Sequence, residues 1–480
     1  MLKKKITIFL LLLIFYALFQ YIVQINYSIE YFKNINPSGD SFTYELGHYI
    51  YLNFIKDNNI FDNILYLVNG QWYWSQRFSV LVSNFFLVKE TYSFNFINYL
   101  SFLIASFVIF HFLNNINQSL KTNFLLSLLI WIFPINYHFF YYGSLLNSGL
   151  DSIFIAYLYC LIFSLFLLIN DITKKTNQFI FILSFIFCLS SRGNSLPMLL
   201  IVSLIPGLIL LIRLYDKKIK LKNLIFIIFL PLIFSFYFYY KNINNIFSYY
   251  GDFNFIKNPY FFEYFLIYLR NIPGIFFYYP HSFEVDLMKE FNFYTFIISM
   301  FFHFIFLVSI FYVRKLKDNN FKIYLSTSVF IYFFFLIYAS TVWNTPHINI
   351  YNALIIWLPM MVAITILFII YLKIFSERIN SKLIFLLFFS LIIYLPTLLM
   401  KYNLNKDIKY YDGSKPDEVK DLAYFIHDNK DLKPIILYTE PNWISNRLVD
   451  FYLIQANKKP INWFRDMYAD DIWNPTRTGE

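Results

Sequence analysis

The sequence predicts a polytopic α-helical membrane protein with about eleven transmembrane helices and a small C-terminal α/β domain outside the membrane. Three observations predict it. Of 480 residues, 59% are hydrophobic and only 14% are charged, where a soluble domain carries about a quarter charged residues. The apolar residues gather in runs near the length that crosses about 30 Å of hydrocarbon at about 1.5 Å per residue. Lys and Arg collect in alternate connections between those runs, the positive-inside pattern.

The runs lie at 6–27, 93–113, 123–142, 150–170, 179–191, 196–213, 223–240, 292–313, 323–341, 353–372 and 383–400. The first follows Lys3, Lys4 and Lys5. It is longer than a signal-peptide core, and no small-x-small cleavage site follows it, so it reads as an uncleaved helix. The fifth run is short and predicts a tight hairpin with the sixth.

Charge sets the orientation. With the N-terminus in the cytoplasm, the inner connections hold Lys121, Lys174, Lys175, Arg213, Lys217, Lys218, Lys220, Lys222, Arg314, Lys315, Lys317, Lys322, Lys373, Arg378 and Lys382. Their acids are Asp171, Asp216, Asp318 and Glu377. The opposite connections carry more acids than bases. The bias repeats loop by loop and predicts an inner (plasma) membrane protein of bacterial type with its C-terminus outside. The net charge of +10 is therefore an orientation signal. No basic domain exists to hold a polynucleotide, which argues against nucleic acid as a partner. Cys160 and Cys188 both fall inside apolar runs and read as small core residues.

Residues 1–400 form the transmembrane part, with long outer loops at 28–92 and 241–291. Within those loops, Phe78–Val88 and Tyr260–Tyr279 are apolar but too short or interrupted to span, and suit helices lying in the interface plane. Residues 401–480 are far more polar. Ser414, Asp417 and Glu418 signal a helix start before Val419–Asn429. Pro434–Thr439 and Pro460–Phe464 read as strands, and Trp443–Ala456 as an amphipathic helix.

Candidate chemistry concentrates on the outer side. Asp40 closely follows the first helix, with Tyr44 and Glu45 after it and His48 three residues past Glu45. Asp40 and Tyr44 share a helical face. The plain reading of Asp40 is a helix cap; the functional one is a carboxylate poised at the membrane surface as a base or metal ligand. Asp151 opens the fourth run, where the helix dipole alone would favour it. Arg192 sits in Ser190-Ser191-Arg192-Gly193-Asn194 between two apolar runs. A cation below the outer surface is costly and marks a purpose. Its natural partner is a lipid phosphate, whose geometry guanidinium matches, and its plain alternative is snorkelling to the interface. Arg77, in Trp74-Ser75-Gln76-Arg77, is placed to serve likewise. His281, Glu284 and Asp286 cluster loosely in the second long loop, and His347 follows Trp343-Asn344-Thr345-Pro346. None of these has a ligand spacing that specifies a divalent metal, so the cofactor stays open. No Walker A loop, zinc-finger pairing or nucleophile elbow occurs.

In this order, the features resemble the GT-C superfamily of polyprenyl-phosphate-sugar-dependent glycosyltransferases, nearest the protein mannosyltransferase and aminoarabinose transferase branch. The likeness rests on Asp40 and Tyr44 after the first helix, Gln76-Arg77 before an apolar stretch, and Asp151 at the fourth span. It rests also on Leu189-Ser190-Ser191-Arg192-Gly193 with Pro197 following, and on the outer C-terminal domain. The likeness is strongest over 28–215. Two departures stand out: Ser41 follows Asp40 where the family has a second acid, and a late Arg-Tyr element appears only as Ile350-Tyr351-Asn352.

The resemblance implies transfer of one sugar from an outward-facing polyprenyl-phosphate donor to a glycan, lipid or protein acceptor. Asp40 would be the base. Arg192 and Arg77 would hold the lipid phosphate. Asp151 would orient a partner, and Tyr44, Glu45 and His347 would line the substrate site. Membrane lipids are further partners. Two other readings compete. An O-antigen polymerase or ligase would carry its main outer loop between late helices. A flippase or other transporter would show discontinuous helices and midplane charges.

Overall fold

The computed structural model describes residues 2–34, 61, 93–116, 119–132, 150–191, 195–241, 261–274, 291–341, 350–376, 391, 394–402, 404–405, 408–409, 415–429, 449, 452–453, 456 and 458. The described residues are 91% helical and contain no strand. The helices are α1 (Leu2–Asn34), α2 (Ser93–Ile116), α3 (Leu120–Ser127), α4 (Leu150–Asn170), α5 (Lys175–Ser191), α6 (Ser195–Tyr215), α7 (Leu221–Lys241), α8 (Phe261–Asn271), α9 (Phe293–Lys315), α10 (Asn319–Thr341), α11 (Ile350–Ser376) and α12 (Pro416–Asp428).

Six of them contain stretches long and apolar enough to cross a membrane: Lys5–Tyr31, Phe96–Ile116, Ile153–Asn170, Met198–Tyr215, Phe293–Lys315 and Asn319–Tyr338. Four further expected runs form helices with shorter apolar stretches, Leu120–Trp131, Lys175–Ser191, Leu221–Tyr237 and Leu358–Ile374. Of the eleventh run, 383–400, the described part from 394 onward is helical. The third run departs from a plain helix. After α3 the chain tightens into a 3-10 turn at Leu129–Trp131, with the Trp131 N–H donating to Leu128 O at 3.0 Å. Such tightening suits the end of a helix.

The chain divides into two compact units. One comprises Met1–Phe15, Ser101–Ile135 and Phe154–Pro396; the other comprises Tyr16–Leu100, Asn136–Ile153 and Thr397–Glu480.

In the first unit, α4 is the central helix. Of its apolar span, 94% is buried, against 28% for α6 and for α9. Elsewhere, α10 packs against α11, α9, α8 and α6, while α5 packs against both α6 and α7. Polar bonds join helices through the core. Tyr159 donates to Thr365 Oγ1 at 2.8 Å, and Tyr371 donates to Ser309 Oγ at 2.9 Å. The outward faces are apolar. On α6, Leu200, Leu204, Leu208, Leu211 and Ile212 are all exposed at helical spacing. Water would penalise such a stripe, and a lipid environment accommodates it.

A polar cluster ties many helix ends together. Lys373, near the end of α11 and 1% exposed, donates to Asn123 Oδ1 at 2.6 Å. Asn123 in turn donates to Asn114 Oδ1 at 2.6 Å near the end of α2. Lys174 reaches Asn115 Oδ1 at 3.4 Å. The Arg213 guanidinium, in the last turn of α6, donates to Ile169 O and to Asn320 Oδ1. Asn320 donates to Asn170 Oδ1 at 3.1 Å, and Tyr324 donates to the same oxygen. Asn177 closes on Leu167 O and Asp171 O, and Gln178 on Ile172 O at 2.7 Å. The C-terminal ends of α2, α4, α6 and α11 thus meet the N-terminal ends of α3, α5 and α10. Phe9 of α1 packs its ring against Phe110 and Phe124 beside them.

In the second unit, α1 carries a buried amide ladder. Gln24 donates to Gln20 Oε1 at 2.6 Å, and Gln20 donates to the Tyr16 hydroxyl at 3.1 Å. Tyr21 sits edge-on to Phe96 and Tyr99. In the tail, α12 begins at Pro416. Pro suits the first helical position because it has no N–H to satisfy there. Glu418 accepts from the Lys415 N–H at 3.0 Å, so the helix starts where its acids were expected. Val419, Ala423 and Ile426 on α12 are buried, as are the helical residues Val449, Tyr452 and Leu453. Lys420 lies over the Tyr452 ring and Lys458 over the Tyr424 ring. The expected strands at Pro434–Thr439 and Pro460–Phe464 lie outside the described residues.

Candidate functional site

Among the described residues, α8 and the start of α9 line an open groove. The α8 sequence makes it possible. Tyr264, Ile267, Tyr268 and Asn271 are buried at i, i+3, i+4 and i+7, while Phe262 and Leu266 remain exposed. That two-faced pattern is the one expected of the interfacial segment at Tyr260–Tyr279. Glu263 stands in the first turn and Arg270 in the last, each at the end where the helix dipole favours its charge.

The buried face is fixed against α9 by close contact. The Gly274 N–H donates to Ser299 Oγ at 2.8 Å, and Thr295 donates to Asn271 Oδ1 at 3.3 Å. A Cβ on Gly274 would lie 1.9 Å from Thr295 O, so only glycine permits this approach. The Asn292 side chain caps α9, accepting from the Tyr294 and Thr295 N–H groups. Further along α9, His303 donates to Ser299 O through Nδ1–H, and its Nε2 lies 3.4 Å from the Tyr332 hydroxyl.

The groove has a volume of about 580 Å³ and is lined by Glu263, Leu266, Ile267, Leu269, Arg270, Phe296 and Met300. Pockets of that size hold a small ligand. Four of its residues, Glu263, Leu266, Ile267 and Arg270, follow the i, i+3, i+4, i+7 spacing of one helical stripe. The stripe is acid, apolar, apolar, base. The Arg270 guanidinium also sits 6.0 Å from the centre of the Phe291 ring. Chemically, the groove offers one cation, one anion and an apolar floor. The sequence reading passed over Glu263 and Arg270, treating their segment only as interfacial. The signal available was this spacing of opposite charges around two apolar residues.

Of the residues singled out from sequence, Asp151 has its backbone in the first turn of α4. Asp40, Tyr44, Glu45, Arg77, Arg192 and His347 lie outside the described residues, as do His281, Glu284 and Asp286. The helices flanking Arg192 are described. α5 ends at Ser191, α6 begins at Ser195, and the two pack together. This matches the hairpin expected there. At 17 residues, α5 rises about 25 Å, less than the hydrocarbon thickness. Among the described residues, no group of three or more His, Cys, Asp or Glu side chains could hold a metal ion.

No known protein-family model matches the chain. No curated protein matches it either.

Proposed function

We propose that the chain is an integral membrane glycosyltransferase that moves one sugar from an outward-facing polyprenyl-phosphate donor to an acceptor hydroxyl or amine. In this reading the N-terminus is cytoplasmic, about eleven helices span the membrane, and residues 401–480 form an outer domain. The resemblance to GT-C enzymes supplies the reaction class. One structural observation supports it most. The polar cluster ties together helix ends that the charge pattern assigns to the cytoplasmic side. Asp151 stands at the other end of α4 from that cluster. Arg192 follows α5 and precedes α6, again away from the tied ends. Asp40 follows the end of α1 farther from Phe9. The alternation of the charge pattern assigns the connections that carry Asp40 and Arg192, and the start of the run at Asp151, to the outer side.

The chemistry needs a base near the acceptor and a cation near the leaving phosphate oxygen. Asp40 removes the acceptor proton as the nucleophile attacks the anomeric carbon. Arg192, with Arg77, binds the lipid phosphate and stabilises its charge as the sugar leaves. Asp151 orients Arg192 or the acceptor, and Tyr44, Glu45 and His347 contribute to the substrate site.

The test uses purified protein with a radiolabelled polyprenyl-phosphate sugar. Asp40→Asn keeps the side chain's shape and removes the base, so transfer should fall about a hundredfold or more with donor binding retained. Arg192→Lys should keep part of the activity of wild type, because Lys preserves the charge but not the planar fork. Wild-type transfer in folded Asp40→Asn protein would remove Asp40 from this role. Orientation is tested separately by fusing reporters active only outside the cytoplasm. Signal after residue 410 and none after residue 219 is the expected result; the reverse would overturn the topology.

A further inference from the structure

We propose that the groove between α8 and α9 holds one phospholipid bearing an ethanolamine-type head group. Its phosphate sits on Arg270, its primary ammonium on Glu263, and one of its chains on Leu266, Ile267, Phe296 and Met300. This assignment rests on the bilayer placement of the chain and is independent of sugar transfer.

Three observations carry it. The first is the lining itself, which is apolar apart from one acid and one base on a single stripe of α8. Glu263 and Arg270 stand seven residues apart, about 10.5 Å along the helix axis. The second is what surrounds the groove. Phe262 is 77% exposed and Leu266 60% on α8; Phe293, Ile297 and Phe301 are exposed on α9. These rows continue the groove as an apolar surface that a lipid chain covers and water does not favour. The third is position. The groove lies at the first turns of α9, whereas Arg314 and Lys315 mark that helix's other end. A head group belongs at a helix terminus, where its charges remain near water.

Charge selects among lipids. An anionic head group such as phosphatidylglycerol brings one phosphate charge to Arg270 and no cation to Glu263 on the same stripe. A choline head group carries no N–H to donate to the carboxylate and is recognised instead by aromatic cages, whereas Phe296 is the one aromatic residue lining this groove. A primary ammonium donates charge-assisted hydrogen bonds to a carboxylate, and guanidinium does the same to phosphate.

Native mass spectrometry of the full chain, in micelles doped equally with dioleoyl phosphatidylethanolamine, phosphatidylcholine and phosphatidylglycerol, tests the proposal. Wild-type protein should retain phosphatidylethanolamine about tenfold over phosphatidylcholine, as one charge-assisted hydrogen-bonded contact would give. Glu263→Gln should abolish that preference while keeping phospholipid bound, and Arg270→Ala should lower retention of all three. Glu263 is exposed and caps nothing in the core, so its variant reads binding even where Arg270→Ala fails to fold. No preference for phosphatidylethanolamine in wild type, a preference for phosphatidylglycerol, or an unchanged preference in Glu263→Gln would each overturn it. Because sugar transfer is assayed with Asp40→Asn, failure of the lipid site leaves that reading standing, and the converse holds.

Discussion

Replacing Gly274 by Ala should destabilise the protein, and replacing Gly207 by Ala should not. Gly274 lies where the chain leaving α8 presses on the first turns of α9. Its added Cβ would stand 1.9 Å from Thr295 O, 2.7 Å from Thr295 C and 2.8 Å from Ser299 Oγ. Carbon and carbonyl oxygen rest at about 3.3 Å or more. The backbone of α9, held in its own helix, would have to move by more than an ångström. Overpacking of that kind costs about 1–3 kcal/mol. Separating the two segments also loses the Gly274 N–H bond to Ser299 Oγ, worth about 1 kcal/mol. A total near 2–4 kcal/mol should lower the midpoint of melting by about 4–8 °C. Gly207, inside α6, meets nothing within 4 Å, so Ala there should leave stability unchanged or raise it by up to about 1 kcal/mol. The chain supplies its own reporter. Cys160 and Cys188 are buried at 1% and 0% exposure, so a thiol-reactive fluorogenic dye labels them as the helices come apart. If the Gly274→Ala protein melts with wild type, the close approach of α8 and α9 is not as described.

Arg213→Ala removes the donor to Ile169 O and Asn320 Oδ1 and should cost about 1–3 kcal/mol, with Arg213→Lys costing less because the charge at the α4 C-terminus survives; equal midpoints for the three proteins would contradict this. Asn123→Ala deletes the acceptor of the Lys373 bond and should cost about 1.5–3 kcal/mol, read by the same dye. Asp428 is held below its ordinary value first by the His427 side chain and then by Lys458, so its contribution is present at neutral pH and lost as pH falls through the depressed value, below about pH 4. The difference in melting between wild type and Asp428→Asn, small because the group is exposed, should therefore shrink as pH falls below the ordinary carboxylate range; a difference that grows with acid would reverse the sign.

Much of the helical layout is legible because lipid-length apolar runs leave little choice of structure. The runs at 93–113, 150–170, 196–213, 292–313 and 323–341 reappear as α2, α4, α6, α9 and α10, α4 with the same bounds and the others lengthened by a few residues such as Asn115, Tyr215, Lys315 and Asn320. The helix after Ser414 is legible for a different reason, since Pro416, Asp417 and Glu418 each suit a first turn. What the runs do not show is which helices meet. Asn170 and Asn320 are 150 residues apart, and each alone reads as a polar residue at a membrane edge. Only their packing turns them into a joint. The same holds for the groove. Its stripe on α8 has a recognisable spacing, but its other wall, Phe296 and Met300, belongs to a helix that nothing in the spacing assigns to it.

The distribution of polar contacts bears on where chemistry can occur. Among the described residues, side-chain hydrogen bonds join the ends of α2, α4, α6 and α11 to the starts of α3, α5 and α10. There, Asn, Tyr, Lys and Arg side chains cross from helix to helix. A network that crosses several helix ends resists relative movement, because each displacement breaks several contacts together. Under the proposed transferase reading, such ties would keep the helices' spacing while a lipid donor and an acceptor reach the outer loops. They suit a transporter less well, since alternating access requires the same helices to part on both sides in turn. Breaking the network therefore separates the two classes. Asn320→Ala and Asn123→Ala together should lower thermal stability and leave sugar transfer per folded molecule within about twofold of wild type, because the tied ends touch no reacting atom. Transport by the intact chain that the same pair accelerates would instead favour a moving bundle and count against the transferase reading.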